Sequence, residues 1–220
     1  VKNAICHQGD SREILLKLNT KFSWIYIDPS RRNEEKGKVF MLKDCLPNVP
    51  DLLDFYFEYS NSILIKTAPI LDITAGLSEL KNVKAIHIIA VENEVKELVW
   101  ELSKDYNGTI SIQTVNIEKT GFSKFEFILN HKTEQPTFSL PQKYLFEPNS
   151  AIMKSGGFDV VSSHFKIAKI HQHSHLYTAN ERIDFPGRIF LIEENIPYSK
   201  ANMKHSFENK NANITTRNFP

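Results

Sequence analysis

The stretch FSWIYIDPSRR, residues 22–32, decides how the first part of the chain folds. Its apolar half predicts a buried strand, and Asp28-Pro29 ends that strand because proline fixes φ and has no N–H to donate. In open α/β sheets, ligands bind beyond the carboxyl ends of the strands. Asp28 is therefore a candidate for the chemistry, and Arg31 with Arg32 could hold a phosphate bidentately. The alternative is a strand-ending turn with solvated arginines.

Strand-like and helix-like segments alternate on both sides of this stretch. A short strand over residues 4–6 precedes the turn Gly9-Asp10, and Ser11 is predicted to cap a helix over residues 12–18. This alternation, closed by a pair of strands, indicates an α/β fold with a mostly parallel sheet and an antiparallel edge. Further along, we predict strands over 62–66, 84–91, 109–116 and 124–129 and helices over 51–59, 69–80 and 92–104.

Residues 131–142 interrupt this rhythm with two prolines and few aliphatic side chains. We therefore predict a first part over residues 1–133, a linker over 134–142 and a small α+β region over 143–220. In the last part, Asn149 is expected to cap a short helix that Gly156-Gly157 ends. Because the first residue is not methionine and both ends look cut, we expect the chain to belong to a longer protein.

The composition excludes several classes of protein. The 220 residues carry 27 basic and 26 acidic side chains, which argues against a basic nucleic-acid-binding tail and against an acidic disordered chain. Two cysteines, Cys6 and Cys45, are too few for a disulfide scaffold, so we expect a cytoplasmic protein. The sequence has no apolar run of about 18 residues, so no membrane-spanning helix is expected, and no signal peptide opens it.

Polar, turn-forming residues follow three successive predicted strands. Gly9-Asp10 follows the first, Asp28-Pro29 the second, and Lys66-Thr67-Ala68-Pro69 the third. We expect all of them to lie on the ligand-binding rim of the sheet. Lys66 either faces a substrate there or only ends its strand.

With these loops in this order, the sequence resembles the catalytic domain of class I S-adenosylmethionine-dependent methyltransferases. More specifically, it resembles a Bacteroidetes-type group of RNA methyltransferases with a C-terminal THUMP-like domain. The resemblance implies a Rossmann-like methyltransferase sheet that lacks its first strands, followed by a ferredoxin-like or THUMP-like α+β region for substrate recognition. It rests on GDSRE at 9–13, IYIDPSRR at 25–32, IKTAPILD at 65–72, YLFEPN at 144–149 and FPGR at 185–188.

The resemblance also implies roles for individual residues. Asp10 matches the acidic residue beside the adenine of S-adenosylmethionine, and Ser11 follows it directly. Asp28 and Pro29 match the start of an Asp-Pro-Pro-aromatic motif that frames the methyl donor and the acceptor, and Ser30 stands at its third position. We therefore expect Asp10, Ser11 and Asp28 to bind the cofactor and Asp28, Pro29 and Ser30 to be catalytic.

The same motif departs from the family pattern at two positions. Ser30 replaces the second proline, and Arg31 replaces the aromatic ring that would stack on a flipped base. Tyr26 or Phe40 is a candidate substitute for that ring. The expected substrate-binding residues are Arg31, Arg32, Lys66 and Arg188, and Lys36, Lys38 and Lys43 could join the arginines on an RNA backbone.

The expected function is S-adenosylmethionine-dependent methyl transfer to a base of ribosomal or transfer RNA, by a longer protein that contains this chain. The sequence has no Gly-x-Gly loop to hold the methionine part of the cofactor, so the chain alone is expected to bind S-adenosylmethionine weakly or not at all. One alternative is a non-catalytic RNA-binding module on a degraded methyltransferase fold. Another is a methyltransferase that acts on a small molecule or a protein.

No metal site is expected. His171, His173 and His175 would point to one face of a strand, but three histidines on one straight strand lie too far apart for a single ion. We interpret them as the polar face of an edge strand or as a loop. Trp24 and Trp100 lie in apolar patterns and are predicted to be in the core, as is Cys6.

Overall fold

The fold comes from a computed structural model, which describes residues 3–33, 37–38, 41–131 and 135–207 together with 211, 213 and 215. As far as residue 79, helices are interspersed with short strands, and a run of strands follows. The described α-helices are α1 (Ser11–Leu18), α2 (Val49–Phe57), α3 (Ile73–Glu79), α4 (Ser150–Ser155), α5 (Phe158–Phe165) and α6 (Lys200–Phe207), and a 3-10 helix covers Leu42–Asp44. The described strands are β1 (Ile25–Ile27), β2 (Arg32–Asn33), β3 (Gly37–Lys38), β4 (Ser62–Thr67), β5 (Val83–Val91), β6 (Glu94–Ser103), β7 (Ser111–Glu118), β8 (Gly121–Ile128), β9 (Tyr144–Pro148), β10 (Ala168–Lys169), β11 (Tyr177–Ala179) and β12 (Gly187–Leu191).

Six strands form a mixed sheet in the order β1-β4-β6-β5-β7-β8. The pairs β1–β4 and β5–β7 are parallel, whereas β4–β6, β5–β6 and β7–β8 are antiparallel. The α/β class and the antiparallel edge are as predicted, but the sheet is less parallel than expected. The difference arises at β6, which lies antiparallel between two strands that the sequence presents as successive β/α units.

The helix predicted over residues 92–104 is wrong, because residues 94–103 form β6. Val95, Leu98, Val99 and Leu102 have a helix-like spacing, but Leu98, Trp100 and Leu102 also alternate, and these three are the buried ones. Glu92 and Asn93 have φ values of 49° and 61°. Two consecutive residues with positive φ suit the tight turn of a β-hairpin, so β5 returns directly as β6.

The first predicted strand is also wrong, and the second is shorter than predicted. Residues 4–8 are irregular, with Ile5 85% exposed and Cys6 exposed, so Cys6 is not a core residue. Strand β1 covers three residues and pairs with β4 alone in the described sheet. Trp24, which precedes this edge strand, is half-exposed, contrary to prediction. An edge strand has one neighbour only, so fewer of its side chains are covered.

One face of the sheet carries the main core. Helices α2 and α3 and residue Ala151 of α4 pack against buried strand residues that include Ile63, Ile65 and Trp100. The other face is only half-buried in the described chain, as the alternating burial along β4 and β6 shows. This asymmetry leaves the ends of β1 and β4 accessible beside a rigid, buried face.

The region after residue 143 forms a second sheet, in the order β10-β11-β9-β12, with antiparallel neighbours throughout. Asn149 caps α4 through a hydrogen bond from Ile152 N, and Gly156 follows the helix with a φ of 72°, both as predicted. The core of this second region centres on buried Phe146, Val161 and Tyr177. Helix α4 joins this region to the first part of the chain, because Ala151 packs in the main core and Lys154 Nζ donates to Leu71 O at 2.9 Å.

Candidate functional site

A pocket of about 410 Å³ opens at the carboxyl ends of β1 and β4. It brings together most of the residues predicted from the strand-ending loops: Asp28, Pro29, Ser30 and Arg31 after β1, and Lys66 at the end of β4. Thr67, Ala68 and Pro69 continue its wall, while Leu42 and Cys45 close the opposite side. Two of the three strand-ending loops that the sequence marked therefore meet at this pocket.

The parallel pairing of β1 and β4 places an acid beside a base in this pocket. Ile27 is in register with Ile65, so the next residues of the two strands, Asp28 and Lys66, are neighbours. Lys66 Nζ lies 2.7 Å from Asp28 Oδ2. The pKa of Lys66 is raised, first by this hydrogen bond, and Tyr26 and Glu97 raise it further. Lys66 is therefore a cation and Asp28 accepts a charge-assisted hydrogen bond.

The loop after β1 forms a second wall. Ser30 N donates to Leu46 O at 2.7 Å, and Leu46 N donates back to Ser30 O at 3.0 Å, so the backbone at Ser30 is held on both sides. Cys45 is buried in this wall. Burial raises the pKa of its thiol, while Arg31 acts in the opposite direction. A thiol with a raised pKa is a poor nucleophile, so Cys45 is a wall residue.

Eight of the thirteen lining residues were not identified as site residues from the sequence, and three of these eight, Thr67, Cys45 and Lys96, have side chains with polar or ionisable groups. Thr67 and Cys45 carry no motif of their own, although Thr67 belongs to the polar turn already noted after the third strand. Lys96 lies on β6, which the helix prediction for 92–104 concealed. The signal for a hairpin at that position is Asn93, because asparagine tolerates the positive φ of such a turn. Glu92 also has a positive φ but carries no such signal in the sequence.

Asp10 and Ser11, the other predicted cofactor-binding residues, lie outside this pocket lining. Asp10 is the N-cap of α1, in place of the predicted Ser11, and its Oδ1 accepts from Arg12 N at 2.9 Å and Glu13 N at 3.2 Å. The Ser11 hydroxyl lies 3.3 Å from the Tyr56 hydroxyl. Burial raises the pKa of Tyr56. The structure thus gives both residues a local role, and their role toward a cofactor stays a prediction.

The predicted substrate-binding residues separate in space. Arg188 lies on β12 rather than at the pocket, and its Nε lies 2.8 Å from Oε2 of nearly buried Glu147. Lys43 is exposed, and its backbone N donates to Glu79 Oε1 at 3.2 Å. Tyr26 is 59% exposed on β1. Residues Lys36 and Phe40 and the side chains of Arg32 and Lys38 lie outside the described part of the chain.

The histidine run lies in the turn between β10 and β11. His171 and His173 have ring centroids 5.6 Å apart, and His175 stacks on Phe158 at 3.5 Å. Within residues 3–33, 37–38, 41–131 and 135–207, no three His, Cys, Asp or Glu side chains are grouped to hold a metal ion. None of the helices that the structure describes has the length and apolar character needed to span a membrane.

Comparisons with known proteins agree with this architecture. Residues 144–186 match the family model of a ferredoxin-like domain. The structure is similar to the crystal structure of a candidate methyltransferase from Porphyromonas gingivalis W83, with 32% sequence identity and a TM-score of 0.74 over 84% of this chain and 46% of that one. No curated protein matches the chain.

The chain thus spans less than half the length of the solved protein that it resembles. The covered share of this chain is too large to come from one part alone, so the likeness includes residues of both parts. The ferredoxin-like match begins with β9 and ends shortly before β12. The chain therefore combines a mixed α/β sheet similar to that of a candidate methyltransferase with a ferredoxin-like domain.

Proposed function

We propose that this chain is part of an S-adenosylmethionine-dependent methyltransferase whose acceptor is RNA, and that the pocket at Asp28 holds the reacting groups. The observation that carries the proposal is the Asp28–Lys66 pair at the carboxyl ends of two parallel strands. Ligands of open α/β sheets bind at that place. The likeness to a candidate methyltransferase supports the same reaction class.

The pocket residues fit one part of the cofactor. The side chains beside Asp28 in the pocket include polar and charged groups, and they suit the reacting end of bound S-adenosylmethionine. Among the described lining residues, no second carboxylate is present for the ribose hydroxyls and no glycine-rich loop for the methionine part. We therefore expect this chain alone to bind S-adenosylmethionine weakly or not at all, and the full-length protein to bind it well.

Methyl transfer needs alignment more than strong acid–base groups. S-adenosylmethionine, when bound, would supply a methyl group on a sulfonium sulfur, and this sulfur would leave as a neutral thioether when the acceptor attacks the methyl carbon in line. Asp28 would orient the acceptor through a hydrogen bond and take up the proton that the acceptor loses. Pro29 stiffens the backbone beside Asp28, and the two backbone hydrogen bonds of Ser30 hold the loop that follows.

RNA as the acceptor is supported by charge and by the second domain. Arg31 and Lys96 line the pocket, and cationic side chains of this kind attract a phosphate backbone. We propose that the ferredoxin-like domain contributes RNA recognition, which is the role expected of a THUMP-like domain. A non-catalytic RNA-binding module is the second candidate, because Ser30 and Arg31 replace the proline and the aromatic residue of the family motif.

The test is methyl transfer by the full-length protein. Titration calorimetry with S-adenosylmethionine is followed by transfer of labelled methyl groups to RNA, for wild type, Asp28→Asn and the control Asp54→Asn. Asp54 is an exposed carboxylate that also pairs with a lysine, at 2.5 Å from Lys81 Nζ. We expect Asp28→Asn to slow transfer by about 100-fold and Asp54→Asn to leave it unchanged.

Other outcomes identify the alternatives. Salt-sensitive RNA binding without cofactor binding would support the non-catalytic module, because phosphate contacts weaken with salt. Cofactor binding with transfer to a small molecule or a protein, but not to RNA, would contradict RNA as the substrate. Micromolar binding of S-adenosylmethionine to the 220-residue chain alone would contradict the expectation that the chain lacks part of the cofactor site.

A further inference from the structure

Lys66 occupies a rigid position beside Asp28. Its strand, β4, is paired on both sides, with β1 in parallel and with β6 in antiparallel orientation, and Lys66 is directly opposite Val99. The backbone hydrogen bonds of a strand paired on both sides fix the direction of the Cα–Cβ bond. The Lys66 ammonium therefore reaches Asp28 Oδ2 at 2.7 Å from a well-defined origin.

Asp28 itself has little else to hold it. It follows the last residue of β1, its side chain is 51% exposed, and among the described residues Lys66 is its one hydrogen-bonding side-chain partner. The bond engages Oδ2 and leaves Oδ1 for another donor. A carboxylate with a single anchor depends on that anchor for its orientation.

The charges around Lys66 argue against a phosphate contact. Asp28 accepts the Lys66 hydrogen bond, and Glu97 lies on the same face of β6 as Val99, the residue opposite Lys66. Both carboxylates raise the pKa of Lys66, the Asp28 hydrogen bond most. A phosphate that approached Lys66 would meet two carboxylates. Repulsion between like charges offsets the attraction of a single ammonium, so Lys66 differs from an exposed, uncompensated lysine.

Resting on the methyl transfer proposed above, we infer that Lys66 is a positioning residue that holds Asp28 Oδ2, so that Oδ1 is presented to the acceptor. This replaces the substrate-binding role that the sequence suggested for Lys66. Lys66 acts through Asp28, and its loss leaves the carboxylate free to rotate. Small misplacements of a reacting group lower the rate of an aligned reaction by large factors.

The experiment compares Lys66→Met, Lys66→Arg and the control Lys81→Met in the full-length protein, each with and without Asp28→Asn. Lys81 is half-exposed and pairs with Asp54 away from the pocket lining. We expect Lys66→Met to lower kcat about 10- to 100-fold with an unchanged KM for RNA. Lys66→Arg should recover part of that loss, because it restores a cation that can reach the carboxylate. Lys81→Met should behave as wild type.

The double variant isolates the route of action. If Lys66 works only through Asp28, Lys66→Met adds no further loss to Asp28→Asn, because residues that act as a unit are non-additive. A raised KM for RNA with unchanged kcat, or full additivity in the double variant, would overturn the positioning role and return Lys66 to substrate binding.

A measurement without substrate checks the pair itself. Nitrogen-15 NMR of the Lys66 ammonium should show a lower pKa in Asp28→Asn than in wild type, because the hydrogen bond to Asp28 is the main cause of its rise. An unchanged Lys66 pKa would contradict the pair. If the wild type is active and Lys66→Met keeps the wild-type kcat, the positioning role alone is overturned. If the wild type is inactive, the proposed function is overturned, and the positioning role with it.

Discussion

Trp100 Nε1 donates a 2.9 Å hydrogen bond to Thr67 Oγ1, and both side chains are buried. Thr67 ends β4 and lines the pocket directly after Lys66. The largest fully buried side chain of the main core therefore anchors the wall of the candidate site. Because the indole N–H has a partner only through this contact in the described chain, the core and the site are energetically linked.

We expect Thr67→Val to lower the free energy of unfolding by about 1–3 kcal/mol, since the buried indole N–H loses its acceptor while the volume stays the same. The measurement is urea unfolding in a double-mutant cycle with Trp100→Phe. In the Trp100→Phe background, Thr67→Val should cost less, because no N–H is left unpaired. Equal costs in both backgrounds would contradict the hydrogen bond.

The Trp100 ring leaves no room for a side chain at Gly76 in α3. A Cβ at position 76 would lie 2.3 Å from Cη2 of Trp100, far inside contact distance. We expect Gly76→Ala to destabilise the fold by about 1–3 kcal/mol through overpacking, although alanine is the better helix former. Thr74→Ala, at an exposed position of α3, is the control and should change stability little. A stabilised Gly76→Ala would show that α3 moves away from Trp100.

Asp10 allows its helix-capping role to be separated from a cofactor role. Asn caps a helix about as well as Asp, whereas Ala loses about 1 kcal/mol. We therefore expect Asp10→Ala, but not Asp10→Asn, to speed hydrogen exchange at the amides of Arg12 and Glu13, which Asp10 accepts from.

In the full-length protein, Asp10→Asn should still weaken S-adenosylmethionine binding if the carboxylate contacts the cofactor. Unchanged affinity in Asp10→Asn would leave capping as its role.

Alkaline pH should destabilise the ferredoxin-like domain through Tyr177. Its hydroxyl donates to Phe158 O at 2.7 Å, and burial, with Asp159, raises its pKa well above the ordinary 10.0. Above pH 10.0 the unfolded chain releases this proton while the folded chain keeps it. The free energy of unfolding therefore falls as pH rises, by up to about 1.4 kcal/mol per pH unit for this group.

Tyr177→Phe removes that contribution. Unfolding curves from about pH 8 to pH 11 should show a shallower decline for the variant, even though it loses the hydrogen bond at every pH. Burial also raises the pKa values of Tyr56 and Cys45, so part of the decline persists in Tyr177→Phe. Identical slopes for wild type and variant would contradict the assignment.

Arg188 is expected to matter for stability rather than for RNA binding. Its partner Glu147 has a side chain only 11% exposed, whereas Arg188 is 60% exposed. Arg188→Met should lower the free energy of unfolding by about 1–2 kcal/mol, because the Glu147 carboxylate loses this ion pair while solvent screens part of the effect. A fall of about 0.7–0.9 in the slope of log affinity against log salt would show instead a contact with RNA phosphate.

The ends of some strands and helices could be predicted from single residues and their neighbours in the sequence. Proline cannot continue a strand ladder, so Asp28-Pro29 marked the end of β1, and Asn149 with Gly156 marked both ends of α4. These signals depend on one residue and its neighbours. The first of them predicted that Asp28 lies at the carboxyl end of its strand, on the same edge of the sheet as Lys66.

Pairing across the sheet was decided only by the tertiary structure. Residues 94–103 satisfy a helical and a strand period at once, and they become β6 because β4 and β5 supply hydrogen bonds on both sides. The contact between Asp28 and Lys66 likewise depends on a register between strands that are 38 residues apart in sequence. A local pattern states what a segment can form, but backbone hydrogen bonds to distant strands determine which form has the lower free energy.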